Sequence, residues 1–342
     1  MISRFFHSWE RRLAAVAGNR TVRPFAWGLE WLDGIPGARP ISREGDPAER
    51  LLEWSAEAVT RSADFYAAPE TRYTLQGDTL TYPSAVETPD PTNNTVVARY
   101  FPDPSPRGRK RAVLVLPQWN ADAGGHVGLC RLLNRFGISA LRLSMPYHDR
   151  RMPPELHRAD YIVSANIGRT IAVCRQAVID ARQAIAWLRQ QGYEAIGILG
   201  SSLGSCLSML TVEHEPLLKA AALNHVSPYF ADVIWSGLST EHIRASLDDH
   251  VSLDALRRMW MPISPFPFLD GVRDKSVLLV YALYDLSFPV DLSRALVTEF
   301  QLRDVRHETR VLPCGHYSSS RMPFSLLDGL VLCRFLNRTL TL

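Results

Sequence analysis

Lysine is nearly missing from this chain of 342 residues: only Lys110, Lys219 and Lys275 occur among 38 basic side chains. Arginine carries the positive charge instead, and 35 acidic residues leave a formal net charge of +3. That balance removes the basic excess from which a nucleic-acid binder would be argued. Cysteine is scarce too. Cys130, Cys174, Cys206, Cys314 and Cys333 are odd in number and scattered, which argues against a disulfide framework and for free thiols in a reducing compartment. No pair of them has metal-ligand spacing, and neither a metal nor an organic cofactor is expected. Long apolar runs are also missing. The opening, Met1 to Arg12, lacks the apolar stretch of a signal peptide, and no segment is long enough to span a bilayer. The expectation is a soluble cytoplasmic protein.

What is present is core material. With 46% hydrophobic residues, the chain can bury one large domain with additions or two smaller ones. Residues 1–68 read as a helical N-terminal extension. Phe5, Trp9, Leu13 and Val16 share one helical face. Pro47 to Ala67 repeats the theme with Leu51, Leu52, Trp54, Ala58 and Phe65, opened by Asp46 as N-cap and Pro47 at the first helical position. Arg23 to Leu32 between them is dense in aromatic residues. Packing onto the body is favoured over a membrane-surface or partner-binding helix, because the tryptophans are spread through the extension.

From residue 69 onward the pattern changes to strands, then to alternating strands and helices. Tyr73–Leu75, Leu80–Tyr82 and Thr95–Phe101 read as strands, and Pro102, Pro104 and Pro106 break the last before the basic turn Arg107 to Arg111. Apolar strands at 112–116, 138–143, 195–200, 220–224, 277–282 and 308–312 alternate with helices at 126–136, 168–191 and after Ser202. Such units imply a mostly parallel sheet covered on both faces, with its site at the carboxyl ends of the strands. The stretch 227–274 is too long for a simple connection. It is expected as a helical lid, with Trp235 and Trp260 reaching substrate.

One stretch carries chemistry most clearly. Ala195 to Leu199 is an apolar strand that runs into Gly200-Ser201-Ser202-Leu203-Gly204, the pattern of a nucleophile elbow with Ser202 at its tip. A serine hydroxyl needs a base, and the base needs an orienting group. Asp285 follows the strand ending Ala282-Leu283-Tyr284, and His316 stands in a glycine-containing loop past the final strand. Asp285 competes with Asp291 for the acid role and with a plain helix cap. His307 precedes the last strand, on the wrong edge.

These three stretches, Gly200 to Gly204, Tyr284 to Val290 and Gly315-His316, resemble the α/β-hydrolase superfamily from about residue 70 to the end. The chain is most similar to dienelactone-hydrolase-like and prolyl-oligopeptidase-like esterases. The resemblance implies an α/β-hydrolase fold over residues 69–342 with a lid-like insertion at 227–274. It implies a serine hydrolase that cleaves carboxylic esters through an acyl-enzyme on Ser202, with His316 as proton shuttle, Asp285 as its orienting acid, and a small-molecule ester as partner. A thioesterase, peptidase or acyltransferase would use the same triad, and a non-catalytic binding protein could keep the fold. The oxyanion donors are expected at the backbone of Leu203 and of Trp119, with Gln118 as the alternative. Pro117-Gln118 stands where the family usually has His-Gly. The loop after the 138–143 strand places Tyr147, His148, Asp149 and Arg150 at a carboxyl edge, where Tyr147 and His148 are expected to face substrate.

Overall fold

The computed structural model describes residues 2–16, 20–41, 44–105 and 108–341. Pro106 and Arg107 of the expected basic turn lie outside the described residues. Nine strands form one sheet in the order β1-β2-β3-β5-β4-β6-β7-β8-β9. The first three, β1 (Thr74–Gln76), β2 (Thr79–Pro83) and β3 (Thr95–Phe101), are antiparallel. The others are parallel to one another: β4 (Arg111–Leu116), β5 (Ser139–Leu143), β6 (Ala195–Ser201), β7 (Leu218–Asn224), β8 (Ser276–Ala282) and β9 (His307–Leu312).

The parallel strands are nearly continuous apolar runs because both faces are covered, and alternate residues sort to the two sides. Leu114, Leu116 and Ile198 point into one core; Val113, Val115 and Leu199 point into the other. The first core is closed by α5 (Ile167–Gln190), α6 (Leu203–His214) and α10 (Val290–Leu302), and by α2 (Pro47–Thr60) and α3 (Ser62–Phe65) outside them. The second is closed by α4 (Val127–Arg135) and α11 (Phe324–Thr341). Gly197 explains the close seat of α11: a Cβ there would come within 3.2 Å of the side chains of Leu336 and Leu340. Each of those leucines is buried, worth about 1.5–3 kcal/mol of transfer free energy as an upper estimate.

The extension divides between the two faces. The aromatic stretch and α2 pack on the first core, where Trp54, Phe65 and Tyr66 are buried and Trp27 and Trp31 lie against them. Asp46 does cap α2, its carboxylate accepting the Ala48 N–H. The first helix, α1 (Ile2–Ala15), goes to the carboxyl edge of the sheet, where Phe6 stacks on Tyr284 with ring centroids 4.5 Å apart. Its buried face differs from the expected one: Phe5 and Val16 are exposed, whereas Glu10 and Ala14 are buried. Residues 227–274 form α7 (Phe230–Ser236), α8 (Glu241–Leu247) and α9 (Leu253–Met259) with short 3₁₀ turns, and they pack into the first core. All five cysteines are unpaired and buried. Among the described residues no helix is long and apolar enough to cross a membrane.

Candidate active site

The strand order places the site. β4 is flanked by β5 on one side and β6 on the other, so the connections leaving β4 and β6 diverge and open a crevice at their carboxyl ends. Leu116 pairs with Gly200 in register, which sets the loop after β4 beside the turn after β6. That turn holds Ser202 at φ 55°, ψ −122°, a backbone conformation that costs an ordinary side-chain-bearing residue about 1–3 kcal/mol. Its surroundings lock it. The Ser202 N–H donates to the Asn224 carbonyl at 2.9 Å, and its own carbonyl accepts the Ser205 hydroxyl at 2.7 Å. The flanking glycines are sterically required: a Cβ on Gly204 would lie 2.2 Å from the Leu116 carbonyl oxygen, and one on Gly200 would lie 2.2 Å from that of Gly204.

Ser202 Oγ lies 3.1 Å from His316 Nε2, and His316 Nδ1 lies 3.0 Å from Asp285 Oδ2. Asp285 is fixed through its other oxygen, which accepts the N–H groups of Ser287 and Phe288 at 2.8 and 2.7 Å. The Phe288 ring stacks parallel on the imidazole at 5.5 Å. Because Nδ1 faces a carboxylate, it carries the proton, and Nε2 is left as an acceptor for the serine hydroxyl. Burial disfavours a charged His316, but the Asp285 carboxylate and then Glu10 outweigh it and raise its pKa above the ordinary value. Burial likewise opposes ionisation of Asp285, and the charge and hydrogen bonds of His316 and His225 win, holding it well below the usual carboxylate range. The competing residues lie elsewhere: Asp291 is an exposed partner of Arg294, and His307 opens β9 at the opposite end of the sheet.

No family model and no curated protein matches the sequence. Solved structures do match it in three dimensions. Acetyl xylan esterase 1 from a Thermoanaerobacterium species is 13% identical, with a TM-score of 0.59 over 85% of this chain and 99% of that one. The acylaminoacyl peptidase of Pyrococcus horikoshii is 15% identical, with a TM-score of 0.57 over 80% of this chain and 42% of that one, so this chain spans less than half of its length. An esterase of Pyrococcus furiosus is 12% identical, with a TM-score of 0.53 over 79% and 92% of the two chains. The chain has the α/β-hydrolase fold.

On this α/β-hydrolase scaffold two residues that sequence reasoning missed join the site. His225, just past β7, donates Nδ1–H to the same Asp285 Oδ2 at 2.7 Å, and its ring lies 4.3 Å from that of His316. Burial, then the neighbouring His316 charge, lowers its pKa and keeps it neutral. Ligand atoms of His225, Asp285 and His316 lie within 4.8 Å of one another, as a metal would require. Both Nδ1 atoms, however, sit at hydrogen-bond distance from one oxygen, the arrangement of two donors on a single acceptor. The second missed residue is Glu10 of α1. It is fully buried, and its carboxylate accepts the N–H groups of Tyr317 at 2.7 Å and Ser318 at 2.9 Å, directly after His316. Position after a strand could have flagged His225. An acid on the inner face of an aromatic helix was the only signal for Glu10.

A cavity of about 700 Å³ opens over Ser202. Gln118 and Trp119 line it, and among the described residues neither backbone N–H has a hydrogen-bond acceptor. Asn120 N–H is taken by His148 Nε2 at 3.0 Å. Four of the seven non-glycine residues with positive φ among the described residues, Asn120, His126, Ser202 and His225, line this same cavity. Backbone strain is thus gathered at the site.

Tyr147, His148, Trp235 and Trp260 do not line the cavity. Tyr147 is buried, its hydroxyl donating to Asp90 and its N–H to Asn93. His148 is buried too, with Nδ1 donating to the Pro146 carbonyl, and burial pushes its pKa down to about 4. The loop turns inward because Arg151 pairs with Asp180 at 2.9 Å beneath the surface. Asp149 joins Arg142 as a salt-linked loop residue. Trp260 is fully buried, donating to the Ile167 carbonyl, and Trp235 lies under the Arg244 guanidinium. Of residues 227–274 only Ser239 reaches the cavity, so the segment is a packed side wall and not a lid.

Proposed function

We propose that this protein is a serine hydrolase that cleaves carboxylic esters through an acyl-enzyme on Ser202. The observation that carries the reading is the continuous chain Ser202 Oγ, His316 Nε2, His316 Nδ1 and Asp285 Oδ2, with links of 3.1 and 3.0 Å, at the tip of a strained turn. His316 Nε2 takes the hydroxyl proton as Oγ attacks the ester carbonyl. Asp285 stays ionised and stabilises the imidazolium. The oxyanion is received by the Leu203 N–H, at the head of α6, and by the N–H of Trp119 or Gln118. His316 then returns the proton to the departing alkoxide, and water repeats the sequence to release the acid and restore Ser202.

The ester reading is favoured over the peptidase one by span. The acetyl xylan esterase matches over nearly its whole length, whereas the acylaminoacyl peptidase matches over less than half. The test is a panel of 4-nitrophenyl esters, matched thioesters and aminoacyl 4-nitroanilides, with Ser202→Ala as control. Faster turnover of the esters, preceded by a burst of nitrophenol equal to the enzyme, supports the reading. Preferential cleavage of the anilides would replace it with a peptidase.

A further inference from the structure

The helix that turns Glu10 inward leaves its outer face bare. On α1, Ile2 is 65% exposed and Phe5 64%. Phe5 rests against Trp9, ring centroids 6.1 Å apart, and Trp9 lies 6.5 Å from Phe324, the first residue of α11. The apolar surface continues there. Met322 is 69% exposed just before α11, and Leu326 and Leu327 stand out from its first turn at 50% and 43%. By helical spacing Leu327 falls between Phe324, on the α1 side, and Leu326. Leu326 also lines the cavity over Ser202. Half exposed and cavity-lining at once, it marks the cavity mouth, so the apolar strip runs from α1 to the entrance of the site.

Charge supplies an independent observation. Arg4, Arg11 and Arg12 are exposed on α1, and Arg321 is exposed beside Met322. Among the described residues none of the four lies in ion-pair range of a carboxylate. The only acids of the two helices are turned inward. Glu10 is fully buried against the His316 loop, and Asp328 accepts from Asn224 at 2.7 Å in the cavity wall. Unopposed guanidiniums around an aromatic and aliphatic strip complement a surface that is anionic outside and apolar beneath, as a bilayer of acidic lipids is. A second copy of the same face would instead set these arginines against one another.

We propose that the outer face of α1 and the start of α11 form a docking surface for an anionic lipid bilayer, which seats the mouth of the Ser202 cavity against the membrane. The protein lies on the bilayer and does not span it. This goes beyond the hydrolase reading and does not need it, because the surface is judged on binding alone.

Cosedimentation of the full chain with vesicles at low ionic strength tests it. Vesicles of equal parts phosphatidylglycerol and phosphatidylcholine should bind it at least about 100-fold more tightly than phosphatidylcholine alone, a difference that salt reduces. An arginine near an acidic bilayer is worth about fivefold in partitioning, so Arg4→Gln, Arg11→Gln and Arg12→Gln together should weaken binding by about 100-fold. Phe5→Gln with Leu327→Gln should weaken it by about 10-fold or more. Lys110, Arg189 and Arg306 are exposed at the opposite edge of the sheet. Removing the same charge there, by Lys110→Gln, Arg189→Gln and Arg306→Gln, should leave binding within about threefold of wild type. Near-ultraviolet circular dichroism confirms that each variant is folded, and hydrolysis of 4-nitrophenyl acetate in solution reports separately on Ser202. No vesicle binding, equal binding to both vesicles, or equal losses from the α1 and the opposite-edge substitutions overturns the surface. So does a dimer in vesicle-free gel filtration that Phe5→Gln with Leu327→Gln converts to monomer, since a second copy then occupies the strip. Vesicle binding without ester cleavage sustains the surface and counts against the hydrolase reading instead.

Discussion

Replacing Glu10 by alanine removes a carboxylate that sits far from Ser202 in sequence yet holds the loop of His316, the base in the proposed mechanism. Two N–H groups, that of part-buried Tyr317 and that of buried Ser318, lose a charged acceptor at 2.7 and 2.9 Å. Hydrogen bonds to charged groups contribute about 1.5–3 kcal/mol each, and a buried donor left unpaired costs about as much. The loop around His316 is therefore destabilised by about 3–6 kcal/mol, less whatever relaxation recovers. If half of that appears as misplacement of the imidazole, at about 1.4 kcal/mol per tenfold in rate, kcat falls by about 10- to 100-fold. KM changes little, because Glu10 does not line the cavity. Charge gives a second readout. Glu10 contributes to raising the His316 pKa, and the base works only when neutral. Glu10→Ala and Glu10→Gln should both move the acid limb of the kcat/KM profile to lower pH, while Gln, which keeps one acceptor, recovers part of kcat. The assay is an ester pH–rate profile with thermal melting in parallel. An alanine variant with wild-type kcat and an unmoved acid limb would refute the claim that α1 is part of the site.

Other outcomes follow from the same geometry. Asp285→Asn would turn an acceptor of two imidazole N–H groups into a donor, forcing His316 into the wrong tautomer; kcat should fall by about 10⁴-fold with the fold retained by near-ultraviolet circular dichroism. His225→Leu should leave the triad in place but free Asp285 from a competing donor, moving the acid limb to higher pH and lowering kcat by no more than about 10-fold, read from the same profile. Glu213 is buried, its carboxylate oxygens have no hydrogen-bond partner, and burial raises its pKa well above the usual range despite Lys275 and Arg303. The folded state thus holds a proton that the unfolded chain releases, so stability is lost as pH rises through the unfolded carboxylate's pKa. Glu213→Gln should remove that loss, giving a urea-unfolding gain of about 1–3 kcal/mol that is larger at pH 7 than at pH 4.

Strands and helices of the parallel half were legible because both-face burial writes continuous apolar runs and amphipathic helices write a 3.6-residue period. The elbow was legible for a similar reason: Gly200 and Gly204 are demanded by backbone contacts near 2 Å, so composition itself records the turn. What sequence could not give was the partner across space. His225 and Glu10 matter because β7 and α1 end beside the His316 loop, and the local signals, a histidine just past a strand and an acid on an aromatic helix, are too common to single them out. α11 was missed as an element, although its Leu332, Leu336 and Leu340 recur at helical spacing. Tyr147 and His148 were misplaced by a sound general rule, since loops leaving strand carboxyl ends usually face the pocket. Here the buried Arg151–Asp180 pair folds that loop inward. Trp235 and Trp260 failed similarly, because the insertion satisfies its apolar side chains against the sheet's first core and has none left for a lid.

The most direct measurement is covalent labelling of the folded protein with a fluorophosphonate, followed by peptide mass spectrometry. A single adduct is expected on Ser202, absent in Ser202→Ala and slowed by orders of magnitude in His316→Ala. No adduct on native protein, or an adduct on Ser201 or Ser205 instead, would contradict the assignment of the nucleophile.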